Sequence, residues 1–228
     1  MNVLIADSRI PAARLLAADL RSRDVSVTLA VPEKNAESHP ARPETQPGAS
    51  ALLEVFWNPF SWLSTESLVF EASGAGELDA LVLLFDLDAL SPFFSGLFPD
   101  EIFRSSVAAF QSLAGIVLKR CRKRRSGRIV FLLAAGEKQG ASPDMPELSA
   151  ITAASAESAF IRFGEETAAR VFKTESSGTD VLLMKASFSE EGVWSWAADR
   201  ILSPDAGKHS GKWLSPSVRL GAIFQRRT

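Results

Sequence analysis

The chain contains no tyrosine, and only one cysteine and two histidines in 228 residues. Without tyrosine there is no phenol to serve as a general acid or as a pKa-tuned proton donor. The lone Cys121 cannot close an intramolecular disulfide, which argues against a stapled secreted scaffold. His39 lies in a polar stretch and His209 near the final turn. Neither has a His, Cys or paired carboxylate at ligand spacing, so both read as solvated surface side chains and no metal site is expected. Excess charge is missing too: 25 basic residues against 27 acidic ones, a net −2, give no reason to expect nucleic acid or an anionic surface as partner. The apolar runs are interrupted well short of a membrane span, and Met1-Asn2 leads straight into Val3-Leu4-Ile5-Ala6 with no leader-like segment. A cytoplasmic protein is the expectation.

Apolar residues are plentiful, at 46%, and their periodicity alternates between two kinds. Asn2 to Ala6 is a short continuous apolar run, the mark of a strand buried on both faces. Asp7 or Ser8 is placed to cap the next helix, with Pro11 in its first turn and Ala12, Leu15, Leu16 and Leu20 on its apolar face. Val25 to Val31 reads as the second strand. Pro32 to Gly48 is polar and proline-rich without periodicity, and reads as a surface loop. Ala51 to Trp57 (strand), Ser61 to Ala72 (helix) and Leu78 to Phe85 (central strand) follow. Pro99 to Lys123 is a long helix opened by Asp100 and Glu101 and closed by a basic run, with Arg128 to Ala134 as the next strand. The remainder holds a helix from about Leu148 to Phe172, a strand at Asp180 to Met184, a helix at Val193 to Leu202 and a last strand within Trp213 to Leu220. This βαβα alternation, with no composition break, predicts one α/β domain over residues 1–228: a Rossmann-like, doubly wound, mostly parallel sheet. Such sheets hold ligands beyond the carboxyl ends of their strands.

The order and lengths of these elements resemble the short-chain dehydrogenase/reductase family, in its ketoacyl-reductase form. Asn2 to Ala30 is similar to that family's opening strand, helix and strand. Glu77 to Ala135, with Ser126-Gly127-Arg128-Ile129-Val130, resembles its fourth strand, long helix and fifth strand. Ala198-Asp199-Arg200-Ile201-Leu202-Ser203-Pro204-Asp205, followed by Ser210-Gly211-Lys212, resembles its final helix and turn. The resemblance covers nearly the whole chain and is weakest from Val31 to Gly76. It implies the strand order 3-2-1-4-5-6-7.

At the family's functional positions this sequence departs from the pattern. The glycine-rich cofactor turn is replaced by Ala6-Asp7-Ser8-Arg9-Ile10-Pro11, where Pro11 removes an amide donor and Asp7 sets a carboxylate in the phosphate position. Arg9 is the one residue there suited to an anion, although a lone arginine in a turn is usually solvated. Leu83-Leu84-Phe85-Asp86 stands where the family has Asn-Asn-Ala-Gly, and Phe56 or Trp57 stands where the adenine side expects an acid; aromatic packing is expected instead. The family's asparagine aligns with Ser106, its serine near Leu133 or Ala134, and its Tyr-x-x-x-Lys pair with Ile151 and Ser155. No lysine lies between Lys138 and Lys173. Only a few residues separate Ala186-Ser187 from the helix around Trp194, so the substrate lid is expected to be deleted.

Other chemistry finds little support. Cys121 sits in Lys119-Arg120-Cys121-Arg122-Lys123-Arg124-Arg125, where cations favour a thiolate but also suit a helix C-terminus. Asp86 and Asp88 form a carboxylate pair with no partner acid, base or metal ligand in the sequence, and Ser149 and Ser155 have no histidine base nearby. No catalytic set and no bound cofactor are therefore expected. In the family, the two long helices pack against copies in another subunit. The resemblance thus makes Val107, Phe110, Ala114 and Val117 on one helix, and Ala159, Phe160 and Phe163 on the other, candidate interface residues; the alternative is that they face the protein's own sheet. The expectation is a catalytically silent homologue acting through assembly, with itself or with an active relative. The alternatives are a divergent oxidoreductase that still binds NAD or NADP, and a small-ligand sensor.

Overall fold

The computed structural model describes residues 1–32, 52–74, 76–94, 97–135, 147–174, 178–203 and 211–216. Seven strands form one sheet in the order β3-β2-β1-β4-β5-β6-β7, every neighbouring pair parallel. The strands are β1 (Asn2–Ala6), β2 (Ser26–Pro32), β3 (Leu52–Trp57), β4 (Ala80–Phe85), β5 (Gly127–Ala134), β6 (Thr179–Ala186) and β7 (Trp213–Leu214). This is the α/β, Rossmann-like, doubly wound architecture that the alternation predicts, in the expected order. The central strands are buried along their length because helices cover both faces; β4 has no exposed residue.

The helices are α1 (Pro11–Arg21), α2 (Trp62–Ser73), α3 (Leu87–Phe94), α4 (Pro99–Arg124), α5 (Glu147–Lys173) and α6 (Val193–Leu202). The β1–β2 and β3–β4 connections run in opposite directions across the sheet, so right-handed crossovers place α1 and α2 on opposite faces. On one face α1 packs with α6, tied by Arg23, which bonds the Asp199 carboxylate and Ser195 Oγ (2.8 Å). On the other face α2 packs on α4 and α4 on α5.

Several details differ from the sequence expectations. Helix α3, which holds Pro92 inside it, falls in a stretch to which the sequence reading assigns no element; Asp86 opens it by accepting from the Ala89 amide at 3.1 Å. Neither Asp7 nor Ser8 caps α1: Ile10 takes the cap position, with Pro11 at the first helical position. Leu15, expected on the buried face of α1, is exposed. Helix α4 carries a π-helical turn at Arg104–Ala108. By length and composition α4 suffices to cross a membrane, contrary to the expectation of no such run, but here its apolar residues are spent largely on the sheet. Most of the polar loop expected at 32–48, together with His39 and His209, lies outside the described residues.

Helix α5 reaches its position through Gly164. A methyl group there would stand 3.1 Å from both Leu183 Cδ2 and Phe131 Cγ, so any larger residue would make these side chains yield by a few tenths of an ångström for the helix to keep its approach to β5 and β6. One turn earlier, Phe160 meets Phe85, Phe131 and Phe110 at ring-centroid distances of 5.1, 5.6 and 5.9 Å, the offset and edge-on spacings that aromatic rings prefer.

Candidate functional site

The carboxyl ends of the strands are where a doubly wound sheet receives ligands. The turn after β1 begins with Asp7, fully buried and in the left-handed region at φ 73°, a conformation that Asp tolerates better than most residues. Its carboxylate accepts from Arg9 Nε at 2.8 Å, Arg9 Nη2 at 2.5 Å and the Arg9 amide at 3.1 Å. The Ser8 amide donates across to Ala30 of β2 at 2.8 Å, and the Ile10 amide donates back to the Asp7 carbonyl at 3.4 Å. Pro11 has no amide hydrogen. Every backbone amide from Ser8 to Pro11 is thus used internally or missing, whereas a phosphate cradle needs such amides free.

Arg9, expected to be solvated, is instead held in this ion pair with its side chain 16% exposed. It also reaches the Ser105 carbonyl at 3.3 Å and lies over the Phe93 ring at 5.7 Å. Sequence spacing hints at the pair, since Asp7 and Arg9 are two residues apart. The positive φ that folds one onto the other is a property of the turn.

The neighbouring positions are likewise closed. Phe85 packs on Phe160, and Trp57 is buried with its indole N–H on Thr65 Oγ1 at 3.1 Å; the aromatic packing expected for Phe56 or Trp57 falls to Trp57, with Phe56 half-buried. Ser106 sits buried in the π-helical turn and donates to the Ile102 carbonyl at 2.5 Å. Ile151 is exposed, and Ser155 donates to the Ile151 carbonyl at 2.8 Å, so these two side chains face outward on α5. Leu133 is buried and Ala134 half-buried. Residues 187–192 alone join β6 to α6, with Phe188 against Trp194 at 5.0 Å.

Sequence reasoning missed one group. Asp86 and Asp88 are not alone: Glu157 of α5 and Lys185 of β6 lie within electrostatic reach of this corner of the sheet. Burial raises the Glu157 carboxyl above its ordinary range, Lys185 opposes that, and Asp88 and Asp86 add to it. Burial also raises Asp86, against the bond from the Ala89 amide. Lys185, a cation in the apolar run Leu182-Leu183-Met184-Lys185-Ala186, was the available sequence signal. Among the described residues, no three His, Cys, Asp or Glu side chains converge as a metal-holding group.

Cys121 is buried, and burial raises its thiol pKa despite Arg124, so the basic run does not create a reactive thiolate. Two cations of that run are paired, Arg120 with Glu66 and Arg124 with Glu77.

The proposed interface residues need correction. Val107, Phe110, Ala114, Val117 and Phe160 are all buried within the chain itself. Phe163 is half-buried, edge-on to Phe131 at 5.1 Å, and Ala159 is also partly buried. The sheet and the aromatic cluster claim these faces because α4 and α5 lie directly over β4, β5 and β6. What remains open between the two helices is a groove of about 430 Å³, lined by Gln111, Ala159, Phe163 and Thr167 and flanked by Arg162 and Arg170.

No protein-family model matches the chain, and no curated protein matches it.

Proposed function

We propose that this protein is a catalytically silent relative of the short-chain dehydrogenases that acts by association, with a second copy or with an active relative, rather than by hydride transfer. One observation carries the reading: the turn after β1 uses its amides on Ala30 and Asp7 and its cation on Asp7, so the place of a pyrophosphate is taken by the chain's own ion pair. Support also comes from the sequence, which has no tyrosine to donate a proton and sets Ile151 and Ser155 at the family's Tyr-x-x-x-Lys positions. The assembly half of the proposal rests on large apolar side chains left exposed on helix surfaces, among them Leu63, Phe70 and Phe172.

Calorimetric titration with millimolar NADH and NADPH tests the silent half: no heat and no thermal shift are expected, and a saturable response to either overturns it in favour of a divergent oxidoreductase. The small-ligand reading draws on Asp86, Asp88, Glu157 and Lys185, a mixed-charge corner at the ligand-binding end of the sheet. A screen of small amines and amino acids by thermal shift, repeated on Glu157→Gln, tests it; a stabilising compound whose effect disappears in the variant would favour that reading.

A further inference from the structure

The near-even balance of charge along the chain conceals a segregation that the fold creates. A helix that follows a parallel strand runs back along the sheet, so α4 and α5 both end at its amino edge, where β5 and β6 begin. There the two helix ends abut. Gly127 and Thr179 are paired at the start of β5 and β6, and a methyl group on Gly178 would stand 1.9 Å from the Arg125 carbonyl oxygen. Both helices finish on cations: Lys119, Arg122 and Lys123 of α4, Arg125 at its cap, and Arg170 and Lys173 of α5 are all exposed. Among the described residues, none of these six side chains has an ion-pair partner.

Helical geometry gathers them. Arg122 lies about three turns beyond Gln111, and Lys173 about two turns beyond Glu166, each on the same row of its helix. Gln111, Glu166 and Arg170 all line the groove between the helices. Arg122, Arg170 and Lys173 therefore meet where that groove reaches the amino edge of the sheet, with Lys123 and, one turn back, Lys119 beside Arg122. Neighbouring acids do not neutralise the patch, because they hold other cations: Glu66 takes Arg120, Glu77 takes Arg124, and Glu165 and Glu166 take Arg162. Nor do the helix dipoles account for it. Two helix C-termini carry about one negative charge between them, against six free cations.

We propose that this end of the molecule, formed by the last turns of α4 and α5, docks on an anionic phospholipid surface. The proposal goes beyond the assembly reading and does not depend on it. Clusters of about four to eight Lys and Arg side chains recognise acidic head groups, and each cation near such a surface raises affinity about fivefold. Phe172, 72% exposed on the last turn of α5, adds an apolar side chain able to enter the head-group layer. The chain's net −2 does not cancel the attraction. Asp86 and Asp88 lie at the opposite edge of the sheet, the length of a strand away; the eight residues of β5 span about 26 Å, against a screening length of about 8 Å at physiological salt. Charge also favours a plane over a nucleic acid, whose phosphates need a continuous basic track. Here the track is cut by Glu165 and Glu166 along α5 and by Glu66 and Glu71 on α2, whereas a plane touching only the helix ends meets the cations.

Co-sedimentation of the full chain with lipid vesicles tests this. Vesicles of equimolar phosphatidylserine and phosphatidylcholine are expected to pellet the protein, with affinity falling as salt rises, and vesicles of phosphatidylcholine alone to leave it in solution. Reversing two charges together, Arg122→Glu with Lys173→Glu, should lower affinity roughly 100-fold or more, and Phe172→Ser roughly tenfold. The same change of net charge at two exposed arginines away from the patch, Arg14→Glu with Arg104→Glu, should leave binding within a few-fold of the wild type. All these side chains are exposed, so far-ultraviolet circular dichroism should match the wild type. Failure to bind the mixed vesicles overturns the proposal, as does equal binding to phosphatidylcholine alone. So does an equal loss in the two double variants, which would reduce the effect to net charge. Binding to transfer RNA tighter than to the vesicles, lost in the Arg122 and Lys173 variant, overturns the lipid assignment in favour of nucleic acid.

Discussion

Arg9 holds both carboxylate oxygens of Asp7, at 2.8 and 2.5 Å, across a turn in which Asp7 itself is fully buried. The two residues satisfy each other so completely that the turn after β1 is a closed structural unit. Its cost and benefit are unequal: a buried pair gains little over an apolar replacement, but removing one partner strands the other's charge.

Arg9→Ala should therefore destabilise the fold by about 3 kcal/mol, the low end of the range for breaking buried pairs, because Arg9 keeps some contact with solvent. Asp7→Gly should cost less, since glycine suits φ 73° and the freed guanidinium still reaches water. Chemical denaturation of both variants gives the ranking; equal losses would mean that the pair is not what holds the turn.

Phe110 and Phe160 are core residues, and their substitution should act on folding. Phe160→Ala should cost about 3–5 kcal/mol, as large-to-small changes of buried aromatics do. Phe110→Asp should abolish the helical circular dichroism signal altogether. A folded, merely dissociated Phe110→Asp variant would reinstate this residue as an interface anchor.

Asp86 and Glu157 are both raised above their ordinary range by burial, so the folded protein holds their protons more tightly than the unfolded chain does. Their contribution favours folding at low pH and fades as pH rises through the raised values. Glu157→Gln should accordingly raise the melting temperature at neutral pH by a degree or two, a gain that vanishes near pH 4. Melting curves at the two pH values check this; an unchanged or lowered melting temperature at neutral pH would mean that attraction from Lys185 outweighs burial.

Cys121 packs against Gly127, where an added methyl group would fall 2.3 Å from its sulfur. With its pKa raised by burial, the thiol should be inert to a disulfide reagent in the native protein and react at once in denaturant. Fast native labelling would show that the end of α4 opens readily.

Much of this architecture was legible without coordinates. The runs Val3–Ala6 and Leu81–Phe85 are too short for helices and too apolar for one-sided strands, which determines buried parallel strands and, through the right-handed crossover rule, helices on both faces. The missing tyrosine and the glycine-free turn after β1 are likewise facts of the chain itself. A helical period shows which side chains share a face, but not what lies opposite that face. So Phe110 and Phe160 turned inward to meet Phe85 and Phe131, while Leu63 and Phe70 turned out to solvent. In the same way Arg9 folded back on Asp7, and Glu157 came within reach of Lys185 from another element. Such pairings depend on backbone torsions and on crossings between distant segments, and only the packed tertiary structure decided them.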